Sequence, residues 1–378
     1  NPEEERDREL ISALSDAFNE INIRYDNEPF VLFLRKRTYN KRDGRYMGWE
    51  RKRGAITELI RFIKGEETSI LTFVGSRKKI AETKYIITLD SDTNLRIDSA
   101  KEMVFSMLHP INKAEIDNEK GIVTNGYGIL QPRISTDLMS AQKSLFAKVV
   151  AGLGGINTYD NSVFEVYQTL FGAGNFCGKG IIDVDIFYKV LDNAFPENLV
   201  LSHDILEGEC LRTGFISDIE LTDSFPSTVA AFFDRNHRWI RGDIQNLWFV
   251  FSKSANRKKY FSLLSKWKII DNVRREITPV MGMLSVIISI ITGFDETLTL
   301  LVIMFSVIMP MIISGLGFFF RGNRVIYIRK YQSAVLTSMR TLFMRTFFNL
   351  TFYFYNGVVA ADAALRSIWR LFIKKKKL

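Results

Sequence analysis

Two carboxylates, Asp90 and Asp92, directly follow the apolar run 85–89. A short run without polar alternation is typical of a strand covered on both faces, as in parallel α/β sheets. The ligands of such sheets gather outside the carboxyl ends of the strands. Carboxylates one residue apart can share a hard divalent cation, which can hold the phosphates of a nucleotide. Short Asp/Ser/Thr clusters also end strands as turn or cap residues, so the pattern alone leaves both interpretations open.

A second acidic group, Asp204 and Glu207, lies in the segment 199–209, where a short apolar stretch is again followed by acidic residues. Asp204-x-x-Glu207 fits a capping box that opens a helix ending near Gly214. In the functional alternative, Asp204 is a general base whose pKa is set by burial and by neighbouring charges.

Arginine and tryptophan follow on one predicted helix, which begins after Pro226 and carries Arg235, Arg238 and Trp239. This mixture is unusual for a solvated helix face. Guanidinium groups can pair with a diphosphate in bidentate fashion, and an indole face can stack on a sugar ring.

Basic residues also cluster between a predicted strand at 30–34 and a helix that continues to about residue 63, and Lys52 lies in this cluster. A helix N-terminus would add its own positive end to a phosphate-facing patch, whereas a solvated loop is the plain alternative. The glycine-rich segment 171–180 lacks P-loop spacing and is interpreted as a flexible wall of a site or as a structural loop.

The elements that must position these residues are predicted from periodicity. Apolar residues at helical spacing indicate helices at 8–23, 99–108 and 136–151, and strand signals lie at 121–134 and 215–222.

The last third of the chain changes to apolar segments. Residues 277–294 and 297–320 contain no charged side chain, and both are long enough to cross a hydrocarbon core. Basic residues precede and follow this hairpin, so the positive-inside rule places both ends in the cytoplasm. The segment 331–378 is amphipathic. We expect an interfacial helix rather than a third crossing, which would place the basic tail Lys374–Lys377 outside.

Composition limits the alternatives. The 378 residues are 47% hydrophobic, enough for one large or two ordinary domains, and the basic flanks of the hairpin explain much of the net charge of +9 without nucleic acid. Cys177 and Cys210 have no metal-ligand spacing and fit a reducing compartment better than a disulfide framework. The chain begins without an initiator Met, so we expect a segment of a longer polypeptide.

Six motifs occur in a specific order before the apolar hairpin. With them, nearly the whole chain closely resembles the glycosyltransferase domain of cyclic β-1,2-glucan synthases and, more loosely, processive membrane glycosyltransferases such as cellulose synthase. The motifs are GWERKRG (48–54), TLDSDT (88–93), GYGILQPR (126–133), GKG (178–180), SHDILEG (202–208) and HRWIRGD (237–243).

The resemblance implies an α/β domain of the GT-A type with a mixed, mainly parallel sheet, followed by helical membrane segments. It implies UDP-glucose as donor, a growing glucan as acceptor, and inverting transfer. Asp90 and Asp92 would hold Mg²⁺ or Mn²⁺, and Asp204 would be the catalytic base. Lys52 and Arg238 would face the diphosphate, together with the two metal-binding carboxylates. The acceptor sugar would contact Trp239, Arg235 and Glu207.

The implied organisation is a transferase domain over 1–265, a transmembrane hairpin over 266–330, and an interfacial helix with a basic tail over 331–378. The catalytic domain would be cytoplasmic on a multi-pass protein of the inner (plasma) membrane, with the lipid bilayer and the remainder of a larger synthase as partners.

Three departures from the family are relevant. Looser relatives have Gln where Arg235 stands, the first strand of the nucleotide-binding sheet is expected to be missing, and a phosphorylase-like region is absent. A related transferase with another sugar or linkage and a truncated, non-catalytic membrane scaffold therefore stay open as alternatives.

Overall fold

A computed structural model describes residues 5–25, 27–41, 44–151, 165–197, 200–251, 261–320, 340 and 342–373. Its strands are β1 (Leu32–Arg35), β2 (Thr38–Asn40), β3 (Arg45–Met47), β4 (Ile70–Val74), β5 (Tyr85–Thr88), β6 (Thr93–Leu95), β7 (Glu115–Asp117), β8 (Ile122–Asn125), β9 (Ile129–Thr136), β10 (Gly180–Asp183) and β11 (Thr213–Asp223).

The helices occur between these strands and then follow one another to residue 373. They are α1 (Glu5–Ile23), α2 (Arg51–Ile63), α3 (Arg77–Ala81), α4 (Ser99–Leu108), α5 (Leu138–Ala141), α6 (Leu145–Val150), α7 (Val166–Phe171), α8 (Val184–Leu191), α9 (Asp204–Leu211), α10 (Val229–Phe251), α11 (Leu263–Thr292), α12 (Glu296–Phe320), α13 (342–351) and α14 (Tyr353–Ile368), with a 3₁₀ turn at Pro110–Asn112 and a π-helical turn at Trp369–Ile373.

The main sheet is mixed, but the prediction that it is mainly parallel is wrong. Its order is β5-β10-β9-β11-β6, and only the β9–β11 pair is parallel. The other three pairs are antiparallel. An apolar run indicates that a strand is covered, but it does not determine the direction of the neighbouring strand, which is why the sequence pattern misled here.

The strand that carries Asp90 lies at an edge of this sheet. β5 pairs with β10 alone, and three of its four residues are only partly buried. β6, at the opposite edge, begins five residues after β5 ends, across a turn in which the Thr93 amide donates to the Asp90 carbonyl (3.1 Å). A flat five-stranded sheet is about 19 Å wide, more than so short a bent link can span, so the sheet must curl. Asp90 and Asp92 lie where its two edges approach each other.

Helices cover both faces of the sheet because the central strands alternate apolar residues between the faces. Ile181 of β10 packs in a cluster with Met103 of α4. The next residue, Ile182, packs on the other face with Phe187 of α8 and Leu206 of α9. All five side chains are at most 1% exposed. This core holds the ends of β5, β10 and α9 in fixed relative positions.

Most of the predicted elements are confirmed. The helix 8–23 falls within α1, the helix 99–108 is α4, and the strand 215–222 lies inside β11. The predicted helix 136–151 consists of two short helices, α5 and α6, and each begins at a residue whose side chain caps it, Asp137 and Ser144. The predicted strand 121–134 is divided into β8 and β9.

Two long helices, α11 and α12, are apolar and long enough to cross a membrane. Helix α11 begins before the predicted span at 277–294, ends at Thr292, and crosses the predicted domain boundary at 265 without a break. Most large apolar side chains of this pair are exposed, for example Ile291 (77%) and Val302 (62%), as expected of a surface that is not in contact with water. The basic residues predicted to follow the hairpin at 321–330 and to end the chain at 374–377 lie outside the described residues.

Helix α14 packs against both α10 and α11. Small residues allow the close approach: Ala360 and Ala363 are fully buried, and a side chain at Gly357 would lie 3.0 Å from the Pro279 carbonyl oxygen of α11. His237 Nε2 of α10 contacts Asp362 Oδ2 of α14 at 2.9 Å. The C-terminal helix thereby closes one side of the space between the sheet and α11.

Candidate active site

Asp90 lies at the carboxyl end of β5 between two ammonium groups. Lys52 Nζ, from the first turn of α2, is 2.5 Å from Oδ1, and Lys179 Nζ, from the glycine-rich loop, is 3.0 Å from Oδ2. Burial would raise the pKa of Asp90, but the hydrogen bond from Lys52 and the charge of Lys179 outweigh it, so the pKa is lowered. Asp90 is therefore a fixed anion at neutral pH.

Lys179 also binds a second carboxylate. Its ammonium donates to Asp223 Oδ2 at the end of β11, and Thr93 donates to Asp223 Oδ1 at 2.7 Å. Burial would lower the pKa of Lys179, but Cys177, Asp223 and Asp90 outweigh burial and raise it. The ends of β5 and β11 and the glycine-rich loop thus form one cluster of alternating charge.

Gly178 connects this cluster to the second acidic group. Its carbonyl accepts hydrogen bonds from Lys52 Nζ (2.7 Å) and Thr88 Oγ1 (3.1 Å). Its φ is +85°, and a Cβ at this position would lie 2.6 Å from Asp204 Oδ1. Glycine is therefore required both for the backbone conformation and for the approach of Asp204.

Asp204 is the first residue of α9, but its side chain does not cap the helix. The N-cap residue is His203, with no side-chain cap hydrogen bond, and Asp204 Oδ1 has no hydrogen-bond partner among the described residues. The side chain is 32% exposed, on the wall of a cavity. Burial raises the pKa of Asp204, the charge of His203 lowers it, and Glu207 raises it again, with a net increase. A carboxylate that reaches a cavity and has a raised pKa can accept a proton from a ligand.

His203 stands behind Asp204 and contacts Glu207. Its Nδ1 is 2.9 Å from Glu207 Oε2 and 3.4 Å from Asp204 Oδ1. Burial would lower the pKa of His203, but Glu207 and Asp204 raise it to about 9, so the imidazolium is charged at neutral pH. Glu207 is only 1% exposed and does not line the cavity, so its placement does not match the predicted contact with an acceptor.

The helix α10 supplies the opposite wall. Trp239 is 39% exposed and lines the cavity. The Arg235 guanidinium stacks on the Trp239 ring at 4.8 Å and on Phe225 at 5.4 Å, and burial lowers the pKa of Arg235 to about 10. Arg235 therefore supports the indole from behind, whereas Arg238 is exposed and does not line the cavity.

The cavity joins these parts. It has a volume of about 450 Å³, and three of the eight predicted site residues, Asp90, Asp204 and Trp239, line it. Lys52 reaches the same place through its contact with Asp90. Asp92 is exposed beside the cavity, and its carbonyl accepts from the Ser224 amide.

Asp90 and Asp92 fit a divalent cation only together with a phosphate ligand. Among the described residues no group of three or more His, Cys, Asp or Glu side chains could hold a metal. Mg²⁺, however, is commonly bound by one or two carboxylates while substrate phosphates and water complete its shell. Both Asp90 oxygens contact lysines, so a cation would have to replace at least one of these contacts.

Sequence reasoning missed Lys179, Asp223 and His203. Lys179 lies inside the glycine-rich segment, which is interpreted as a possible wall of a site, and Asp223 directly follows the predicted strand 215–222, so the position of each carried a local signal. Nothing in the spacing of His203 distinguishes it from a surface residue.

Comparison with known proteins agrees with the motifs. Over 357 residues, or 93% of this chain, the sequence is 35% identical to the cyclic β-(1,2)-glucan synthase NdvB of Rhizobium meliloti (strain 1021). The chain is related to a cyclic glucan synthase. The matched region is about an eighth of that relative (12% of its length). No family model matches the chain.

Proposed function

We propose that this chain is a membrane-bound, inverting glucosyltransferase that moves glucose from UDP-glucose to a growing β-1,2-glucan. The observation that carries the proposal is the cavity that Asp204, with a partly exposed side chain, lines together with the lysine-bound Asp90 and Trp239. Relationship to a cyclic glucan synthase supplies the reaction class. The GT-A assignment belongs to this proposal: the mixed sheet, with an acidic loop at the end of β5, is compatible with it.

In this mechanism Asp204 accepts the proton of an acceptor hydroxyl as that oxygen attacks the anomeric carbon of the donor. The bond from the anomeric carbon to the diphosphate oxygen breaks, and UDP leaves with the electron pair. One base on the face opposite the leaving group is sufficient for inversion. The charged His203 and the buried Glu207 hold Asp204 in place from behind.

Lys52 and Lys179 stabilise the negative charge that develops on the leaving diphosphate, since both ammonium groups already converge on one carboxylate. Asp90 and Asp92 would hold Mg²⁺ or Mn²⁺, which would neutralise part of the diphosphate charge. Trp239 offers its indole face to the acceptor sugar, and Arg235 orients that indole. Arg238, which is exposed, would approach the diphosphate only from outside the cavity.

The proposal places α11 and α12 in the plasma membrane as a hairpin, with the catalytic domain in the cytoplasm. Their length, their apolar composition and their exposed side chains support the crossing. The basic residues on both sides of the pair support the orientation.

Replacement of the base tests the proposal. In membranes supplied with radiolabelled UDP-glucose, Asp204→Asn should lower glucosyl transfer by about 10²- to 10⁴-fold while metal-dependent UDP binding persists. Asp234→Asn, an exposed acid on α10, is the matched control and should transfer normally. Undiminished transfer by Asp204→Asn would remove Asp204 as the base. Linkage analysis of the product separates a β-1,2-glucosyltransferase from a relative that makes another bond.

A further inference from the structure

The cavity extends beyond Asp204 and Trp239 into a second half with different chemistry. There the wall is formed by α10, α11 and α14, which contribute three side-chain amides and two acids. These residues are Asn236, Asp243, Asn272, Glu276 and Asn356. Amides present both donors and acceptors without net charge, which suits a neutral polyhydroxyl ligand better than a phosphate.

The two acids of this half, Asp243 on α10 and Glu276 on α11, contact each other. Their carboxyl groups are within hydrogen-bonding distance, so one must carry a proton, because two ionised carboxylates would repel each other at this separation. Arg275, the neighbouring residue on α11, also lines the cavity and interacts with both. A guanidinium beside a singly charged acid pair leaves this half nearly neutral and disfavours a metal cation.

One atom of the pair lacks a partner. Glu276 Oε2 is buried and accepts no hydrogen bond from any described residue. A buried carboxylate oxygen without a donor is costly. Glu276 itself lines the cavity, so a rotation of its side chain would bring this oxygen to a hydroxyl donor of a ligand.

We propose that Asp243 and Glu276 form an acceptor subsite that binds the hydroxyl groups of the glucosyl residue next to the one stacked on Trp239. The pair provides one donor and several acceptors within a short distance, which matches adjacent hydroxyls of a pyranose ring. This inference rests on the proposed glucosyltransferase function and assigns residues to its acceptor side.

Kinetics with two substrates separate this role from a general effect on the fold. Membranes containing the protein are assayed with UDP-glucose and a β-1,2-linked glucose disaccharide as the acceptor probe. Asp243→Asn and Glu276→Gln, which keep the shape of each side chain, should each raise the KM for the disaccharide about 10- to 100-fold, as expected for the loss of a hydrogen bond to a charged group. Hydrolysis of UDP-glucose without acceptor, in which water replaces the sugar, should remain at the parental rate.

The double variant should be little worse than either single variant, because the two acids act as one unit. Asp234→Asn should leave both reactions unchanged, since Asp234 is exposed on α10. Asn356→Ala leaves the pair intact and should raise the KM for the disaccharide about threefold; it replaces the acid variants if those fail to bind UDP.

If the acid variants have the same KM for the disaccharide as the parent protein, the proposed subsite is wrong. The same conclusion applies to Asn356→Ala if that variant is used in place of the acid variants. A parallel loss of hydrolysis would also overturn the subsite, because it would place the pair on the donor side. Failure of the proposed function gives a different result: the parent protein itself would transfer no glucose to the disaccharide.

Discussion

Asp90 and Asp243 line the same cavity, but their carboxyl groups are held in opposite ways. Asp90 lies between two lysine ammonium groups, which lower its pKa despite burial. Burial raises the pKa of Asp243, and Glu276, another carboxyl, is its hydrogen-bond partner. At neutral pH the first is an anion among cations, and the second belongs to a pair that shares a proton.

The difference separates two functions within one space. Around Asp90 and Asp223 the two lysines can exchange their carboxylate partners for the oxygens of a diphosphate. Around Asp243 the charge is small, so a neutral sugar can enter without displacing counterions. Asp204, which also lines the cavity, interacts with both Asp90 and Asp243 and so lies between the two regions.

Lys179→Met should have the largest effect on stability, because it disrupts the charged region, which consists of Lys52, Lys179, Asp90 and Asp223. Asp223 is 3% exposed on its side chain and would lose its only ion-pair partner within 4.0 Å among the described residues. Removal of one partner from a buried pair destabilises by about 3–5 kcal/mol, because the remaining charge is left uncompensated. Unfolding of the detergent-solubilised protein, followed by circular dichroism in denaturant, measures the change.

Lys52→Met is the matched control because it removes the other lysine of the same carboxylate. The Lys52–Asp90 pair is more exposed, at 28% and 38%, and Asp90 would keep Lys179. We expect a loss of about 0–1 kcal/mol. Equal losses in both variants would show that burial of Asp223 does not determine the stability of this region.

Asp243→Asn should change the pH dependence of the free energy of unfolding. The pKa of Asp243 is higher in the folded state than in the unfolded state, where it is about 3.9. Between the unfolded and the folded pKa the folded state holds an extra proton, so stability falls as the pH rises through this range. Asn does not titrate and still donates a hydrogen bond to Glu276, so the variant should lose the part of this fall that Asp243 contributes. The part that comes from Glu276, whose pKa burial raises to about 9, should remain. The effect is about 1.4 kcal/mol for each unit by which the folded pKa exceeds the unfolded one.

The sign is opposite for Asp90. Its lowered folded pKa contributes stability above about pH 4, and this contribution is lost as the pH falls through the folded value. Unfolding midpoints between about pH 3 and pH 8 should therefore change on the acid side in Asp90→Asn and on the neutral side in Asp243→Asn, with Asp234→Asn resembling the parent. A fall on the neutral side that is as large in Asp243→Asn as in the parent would contradict a raised pKa at this position, since Glu276 and Asp204 contribute only their own share.

The charged region was largely accessible to sequence reasoning, whereas the acid pair was not. Asp90, Lys52 and Asp204 each belong to a local signal: an apolar run that ends in acids, or a basic segment before a helix. Asp243 and Glu276 are 33 positions apart on two helices, and only the crossing of α10 and α11 brings them together. No periodicity along one helix encodes a contact between two.

The direction of the strands was predicted wrongly for a related reason. The apolar run of β5 predicts a covered strand, but the pairing of β5 with β10 depends on the loop 171–180 that returns the chain antiparallel. The same loop delivers Lys179 to Asp90. Local patterns thus identified strands, helices and acids, while the long-range connections decided which of them meet.

The smallest effect is expected for His237→Gln, which tests a hydrogen-bonded contact outside the cavity. His237 Nε2 lies 2.9 Å from Asp362 Oδ2, but the Asp362 side chain is 44% exposed and also pairs with Arg366. Solvent screening and the second partner should limit the loss to less than about 1 kcal/mol, and glucosyl transfer should be unchanged. Denaturant unfolding beside Arg366→Gln, which removes the other partner of Asp362, measures it. A loss as large as that of Lys179→Met would mean that the contact between α10 and α14, rather than the burial of charge near Asp90, limits the stability of the protein.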